Sequence, residues 1–123
     1  HGAFPHEKLG EVLNRLDVLV VPSLWHENNP RVIQEAFASK TPVIVSNVGG
    51  MAEFVEHDRS GWLFERGSAE DLSRRIGDLI DQPEKLRSLT VQMPNVKTIR
   101  DEMEEFIDIY SVWRRRKNYA KST

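Results

Sequence analysis

Apolar positions along the chain repeat in two ways, one suited to helices and one to buried strands. Leu9, Val12, Leu13 and Leu16 fall at i, i+3, i+4 and i+7, a single helical stripe. Pro5 suits the first turn of that helix. "DVLVVPS" (17–23) follows at once, a β-branched run too short for a helix and stopped by proline. Such runs belong to strands covered on both faces. The next helix is expected from Asn29-Pro30, with Asn29 as N-cap and Pro30 as first helical residue, burying Val32, Ile33, Ala36 and Phe37. "TPVIVS" (41–46) predicts a second buried strand, broken by Gly49-Gly50. A short helix over about Met51–Glu56 and a turn into a third strand, "SGWLF" (60–64), come next.

Ser68 with Asp71 resembles a capping box, with Asp in the usual place of Glu or Gln. It opens a helix whose stripe is Leu72, Ile76, Leu79 and Ile80, ended by Pro83. A turn is expected around Glu84–Leu89, and "VQMPN" (91–95) reads as connecting loop. Ile99, Met103, Phe106, Ile107, Tyr110 and Trp113 mark a long amphipathic C-terminal helix with a basic tail. Helix and buried strand in alternation mean an α/β fold, a Rossmann-like parallel sheet with flanking helices. About three strands are legible, where a doubly wound domain has five or six. The first half of the sheet is therefore expected to be missing, with an open apolar edge on the first strand that favours an artificial dimer. The opening His1-Gly2, without methionine, reads as a fragment end.

Composition narrows the classes. Hydrophobic content of 39% and charged content of 29% suit an ordinary globular chain, and a net charge of −2 gives no reason to expect nucleic acid. The absence of cysteine excludes disulfides and thiolate-bound metal, and fits a reducing cytoplasm. The histidines are scattered without metal-ligand spacing. No apolar run approaches the ~20 residues of a membrane span.

The candidate chemistry lies in "PSLWHENNPRVIQEAFASKTPVIVS" (22–46). In open α/β sheets, ligands bind beyond the carboxyl ends of the strands. Glu27 falls in such a loop, and Glu35 lies about a turn and a half into the following helix. The Ser46–Gly50 loop opens beside them. A helix N-terminus favours an anion such as a diphosphate, which two carboxylates would repel on contact. Carboxylates instead match the paired donors of a vicinal diol, as found in sugar rings and ribose. Sugar, diphosphate and ribose together describe a nucleotide-sugar, which is one ligand the pattern admits.

The run from Asp17 to Phe64 resembles the donor domain of retaining glycosyltransferases of family 4, which have the GT-B fold. Glu27 and Glu35 match the E-x(7)-E signature. Pro22-Ser23, Glu35-Ala36, "TPVI", Gly49-Gly50 with Glu53, and Gly61 match in order. The likeness runs from residue 1 to about 90. It implies the C-terminal portion of a nucleotide-sugar-binding domain over 1–95, with 96–123 as its C-terminal amphipathic helix and basic tail. It further implies that Glu27 is catalytic and contacts donor sugar hydroxyls, and that Glu35 binds the ribose diol. Amides of Asn28, Asn29, Gly49 and Gly50 would face sugar or phosphate. No metal and no cofactor beyond the donor are expected. The family's phosphate-binding Arg and Lys precede this stretch, and the N-terminal acceptor domain is absent, so the piece alone should be inactive. A cytoplasmic enzyme is implied, with a carbohydrate or lipid-linked acceptor and peripheral association with the inner membrane face for a membrane-bound one. Two departures stand out: Lys40 where the family has glycine, and Arg31 where it has an apolar residue.

Other readings compete. A stand-alone nucleotide-binding or interaction module would need no chemistry, and a glycoside hydrolase would use Glu27 and Glu35 as its carboxylate pair. An epimerase of the same fold would need other acids. Gly49-Gly50 suits a tight turn as well as a ligand cradle. Glu53 reads as a solvated or capping residue, and Trp25 and Trp62 as packing side chains. Arg114–Lys117 reads as a solvated helix end, favoured by the dipole over contact with anionic lipid.

Overall fold

A computed structural model describes residues 2–28 and 30–119. Strands β1 (Leu19–Val21), β2 (Val43–Ser46) and β3 (Gly61–Phe64) form one parallel sheet in the order β1-β2-β3. Val20 lies opposite Ile44, and Ile44 opposite Trp62. Helices α2 (Arg31–Ala38) and α3 (Gly49–Phe54) make the two crossovers. A 3-10 turn at His6–Lys8 and helix α1 (Leu9–Leu13) come before them. Helices α4 (Ala69–Asp81), α5 (Glu84–Gln92) and α6 (Ile99–Tyr119) follow.

Successive side chains of a strand point to opposite faces, and the core divides accordingly. Val43 and Val45 join Ile33, Phe37, Met51 and Val55 on the face covered by α2 and α3. Ile44 joins Trp62, Phe64, Leu79 and Leu89 on the face covered by α4 and α5. All four residues of β2 are buried, as expected of a central strand roofed on both sides. Burying each large apolar side chain contributes about 2 kcal/mol.

Several expectations shift. The first helix ends at Leu13, leaving Leu16 exposed, because the chain must turn there to enter β1. Pro30 is the extended cap residue of α2, not its first helical residue. Asn29 lies outside the described residues. Helix α3 starts at Gly49 itself, two residues early, so the glycine pair begins a helix rather than preceding one. The stripe of α4 is narrower than predicted: Leu79 is buried but Ile80 is 74% exposed. The expected turn at 84–89 is helix α5, capped by Pro83 and anchored through Leu89, while Met93 of the expected loop is buried in the core. Gly61 takes no left-handed turn; it opens β3, where a Cβ would lie 2.6 Å from the Val43 carbonyl oxygen. The turn's positive φ falls on Asp58.

Lys40 shows how α2 ends. Its φ is +56°, the left-handed conformation that glycine adopts more readily. The Lys40 N–H donates to the Phe37 carbonyl and the Thr41 N–H to the Ala36 carbonyl, the bond pair of a Schellman cap. Lys40 Nζ reaches the Met93 carbonyl at 3.5 Å and Asn95 Oδ1 at 3.4 Å, both long contacts. Strain therefore outweighs contact, and Lys40→Gly should stabilise the chain by about 1 kcal/mol. A rise in the urea midpoint at unchanged slope checks this; a fall would show that the Nζ contacts dominate.

At the other end, Ser68 Oγ caps α4 by accepting from the Asp71 N–H at 3.1 Å. The Asp71 carboxylate does not return to Ser68. It accepts from the Glu65 N–H at 2.7 Å, just beyond β3, and pairs with Arg74. The Glu65 amide first, then Arg74, hold the Asp71 carboxyl below its ordinary value. A depressed folded value stabilises the protein above the unfolded one, and that stabilisation is lost as pH falls through the folded value. Asp71→Asn should thus lower stability at neutral pH and flatten its decline below about pH 4, read from urea midpoints across pH. Parallel pH profiles would contradict the assignment.

Candidate functional site

The three loops that leave the carboxyl ends of the strands meet one another. The Gly50 N–H donates to the Glu27 carbonyl at 2.8 Å, joining the start of α3 to the loop after β1. The Asn47 N–H donates to the Phe64 carbonyl at 2.8 Å, joining the loop after β2 to the end of β3. A Cβ at Gly67 would lie 3.7 Å from Leu24 Cδ2, so the loops after β1 and β3 also approach.

Both glycines of the pair are dictated by this crowding. Gly49 has a φ of +52°, and a Cβ there would come within 3.2 Å of His26. At Gly50 a Cβ would lie 2.5 Å from the carbonyl oxygens of both Glu27 and Asn28. The space that a ligand cradle would need at Gly50 is occupied by protein backbone, and its N–H is committed to Glu27. Gly50 therefore holds the loop.

Glu27 is half-buried, and the Ser23 hydroxyl donates to its Oε1 at 2.8 Å. That bond turns the carboxylate back over its own loop, a restraint that the sequence reading did not anticipate. Glu35 stands in the second turn of α2, also half-buried, and its carboxylate makes no ion pair or hydrogen bond among the described residues. Arg31, one turn earlier and exposed, makes no ion pair with it among the described residues. Contacts thus bring Glu27, Asn28, Gly49 and Gly50 together, while Glu35 is tied to them through the helix that their loop enters. Ser46, at the end of β2, is fully buried with no hydrogen-bond partner for Oγ. Its position at the end of an apolar run was the only sequence signal for it.

The remaining candidates separate. Trp62 is buried and donates Nε1–H to Asp58 Oδ1 at 2.9 Å, so it packs. Trp25 is 74% exposed in the Glu27 loop, contrary to a packing role. Glu53 is exposed. Among the described residues no group of three or more His, Asp or Glu is placed to hold a metal ion, and no helix is long and apolar enough to cross a membrane.

Comparison with known proteins decides the family. The model for glycosyl transferases group 1 matches residues 1–96. The chain belongs to that family. It is 33% identical to the D-inositol 3-phosphate glycosyltransferase of Rhodococcus opacus over 88 residues, 72% of this chain and 20% of that protein. It is 36% identical to spore coat protein SA of Bacillus subtilis over 74 residues, 59% of this chain and 20% of that one. The chain spans about a fifth of the length of these curated relatives. Among solved structures, Anabaena HepE in complex with UDP-glucose superposes with a TM-score of 0.70 at 25% identity, covering 81% of this chain and 29% of HepE. Sucrose-phosphate synthase of Thermosynechococcus elongatus superposes with a TM-score of 0.70 at 27% identity, covering 98% of this chain and 30% of the synthase. The sheet and its helices are thus the C-terminal part of a GT-B glycosyltransferase fold, as the resemblance implied, and group 1 membership sets the hydrolase reading aside.

The close contact at Gly50 has a direct consequence. Gly50→Ala should destabilise the group 1 chain by about 2 kcal/mol, because neither neighbouring carbonyl can retreat without moving the Glu27 loop. Urea unfolding measures the loss; an unchanged midpoint would mean that the loop is not held there.

Proposed function

We propose that this chain is the donor-binding portion of a retaining glycosyltransferase that takes its sugar from a nucleotide diphosphate. The observation that carries the reading is the junction at the carboxyl edge, where the Gly50 bond fastens the Glu27 loop beside the entry to α2. In that frame Glu27, the E-x(7)-E acid nearer the junction, accepts from hydroxyls of the donor sugar and takes part in transfer. Glu35 accepts from the ribose diol. A carboxyl group with an unused oxygen can accept from such donors, and both residues have one. The diphosphate rests against backbone amides of Asn28, Asn29 and Gly49 and the first amides of α2, where the helix dipole favours negative charge. Gly50 supplies no amide to the ligand.

The chemistry follows from this division. Carboxylates grip neutral hydroxyls at the two ends and stay off the charged centre. The departing diphosphate is stabilised by amides and, in the family pattern, by cations from the preceding part of a complete enzyme, a case of preorganised electrostatics. No metal enters, so donor binding should be the same with and without a chelator. Anabaena HepE, solved with UDP and with UDP-glucose, supports a uridine nucleotide as the first donor to try. The acceptor, a carbohydrate or a lipid-linked sugar, would be held by a separate domain.

Titration of UDP-glucose and UDP into the isotope-labelled chain at millimolar concentration, followed by amide shifts, separates the two roles. Glu35→Gln should weaken both ligands about tenfold, because both carry the ribose. Glu27→Gln should weaken UDP-glucose by a similar factor and leave UDP unchanged. Equal affinities in wild type and both variants, or no shifts at the carboxyl edge, would refute the assignment.

A further inference from the structure

Glu27 is held at two points. Its carbonyl oxygen accepts from the Gly50 N–H at 2.8 Å, which fixes its backbone against the start of α3. Its Oε1 accepts from the Ser23 hydroxyl at 2.8 Å, which fixes its side chain. Among the described residues that hydroxyl is the only hydrogen-bond or ion-pair partner of the carboxylate. Ser23 is itself well anchored. It follows Pro22, whose ring restricts the backbone, and stands two residues past the end of β1.

The choice of partner is informative. A loop serine commonly turns its hydroxyl to a nearby backbone group and so shapes the loop. The Ser23 hydroxyl instead donates to a carboxylate four residues on. The course of the loop is set elsewhere, by the Gly50 bond. What Ser23 restrains is the glutamate side chain, one of the types with most rotamer freedom to lose. A donor at a fixed place removes much of that freedom before any ligand arrives, and a group fixed in advance binds at lower entropic cost. The bond engages Oε1 alone, so Oε2 keeps both of its lone pairs.

We infer that Ser23 is a positioning residue for donor-sugar recognition: it presets the Glu27 carboxylate and leaves Oε2 for the sugar hydroxyls. This rests on the reading in which Glu27 meets the donor sugar, and adds the residue that sets its preference for a sugar-bearing donor over the bare nucleotide. Ser23 acts through Glu27 and not on the ligand. Its influence is therefore confined to the part of the donor that Glu27 reads, and a nucleotide without sugar should not sense it.

UDP-glucose and UDP titrated into the isotope-labelled chain carry the test. Ser23→Ala should weaken UDP-glucose about fivefold and leave UDP unchanged. Ser23→Thr, which keeps the hydroxyl, should bind both ligands as wild type does. In a Glu27→Ala background, Ser23→Ala should cost nothing further, since its route to the sugar is gone. Without ligand, the Hα–Hβ couplings of Glu27 should move toward rotamer-averaged values in Ser23→Ala and stay in place in Ser23→Thr. Equal weakening of both ligands would mark Ser23 as merely structural. An undiminished loss in the Glu27→Ala background, or unchanged Glu27 couplings, would show that it does not act through the acid. Each of these results overturns the inference. If Glu27→Gln weakens UDP-glucose while Ser23→Ala does not, this inference falls and the donor reading stands. If Glu27→Gln leaves UDP-glucose unaffected, the donor reading of Glu27 falls and takes this one with it.

Discussion

The hydrogen bond from the Gly50 amide to the Glu27 carbonyl, with the missing side chain that permits it, is the constraint on which the functional end of this fold rests. Strands β1 and β2 lie side by side because their apolar runs need cover on both faces, and their register brings Val21 opposite Val45. The chain leaving β1 must therefore cross the start of α3. It can lie flat there only because positions 49 and 50 lack a Cβ. The loop that carries Glu27 and leads into α2 inherits its course from that contact. A backbone packing requirement thus governs where Glu27 stands.

The same edge divides labour between backbone and side chains. Gly50 and Asn47 spend their amides on neighbouring loops, while Ser23 spends its hydroxyl on one oxygen of Glu27. Glu35 has no such engagement among the described residues. An acid half-buried on a helix, with its one-turn neighbour Arg31 unpaired to it, is poorly explained by helix stability alone, because a surface pair at that spacing would gain a few tenths of a kcal/mol. The proposed diol role gives that carboxylate a use. The buried hydroxyl of Ser46, at the end of β2, has no partner, and nothing in the structure explains it.

Legibility in the sequence followed the physics of each element. The β-branched runs at 17–23 and 41–46 were readable because burial on both faces leaves no polar alternation. The cap at Ser68 was readable because it is local. Helix α5 was not: Pro83 ends one helix and starts the next, and a sequence pattern cannot tell a stop from a start when both fall on one residue. Gly49-Gly50 looked like a break because glycine is costly within a helix; the compensating contact comes from residues more than twenty positions away. Trp25 and Trp62 read alike, and only the fold sends one to solvent and the other into the core. The helix that carries Glu35 was readable from its apolar stripe, whereas the diol role proposed for that acid rests on the family pattern, since a lone pair of acids is common.

A crystal structure of the chain grown with UDP-glucose tests the central claim most directly. The account predicts the diphosphate beside the loop of Glu27 and Asn28, the ribose hydroxyls on Glu35 and the glucose hydroxyls on Glu27. Nucleotide bound instead in the open cavity at the far edge of β3, lined by His57, Arg66 and Arg75, with both glutamates untouched, would contradict it.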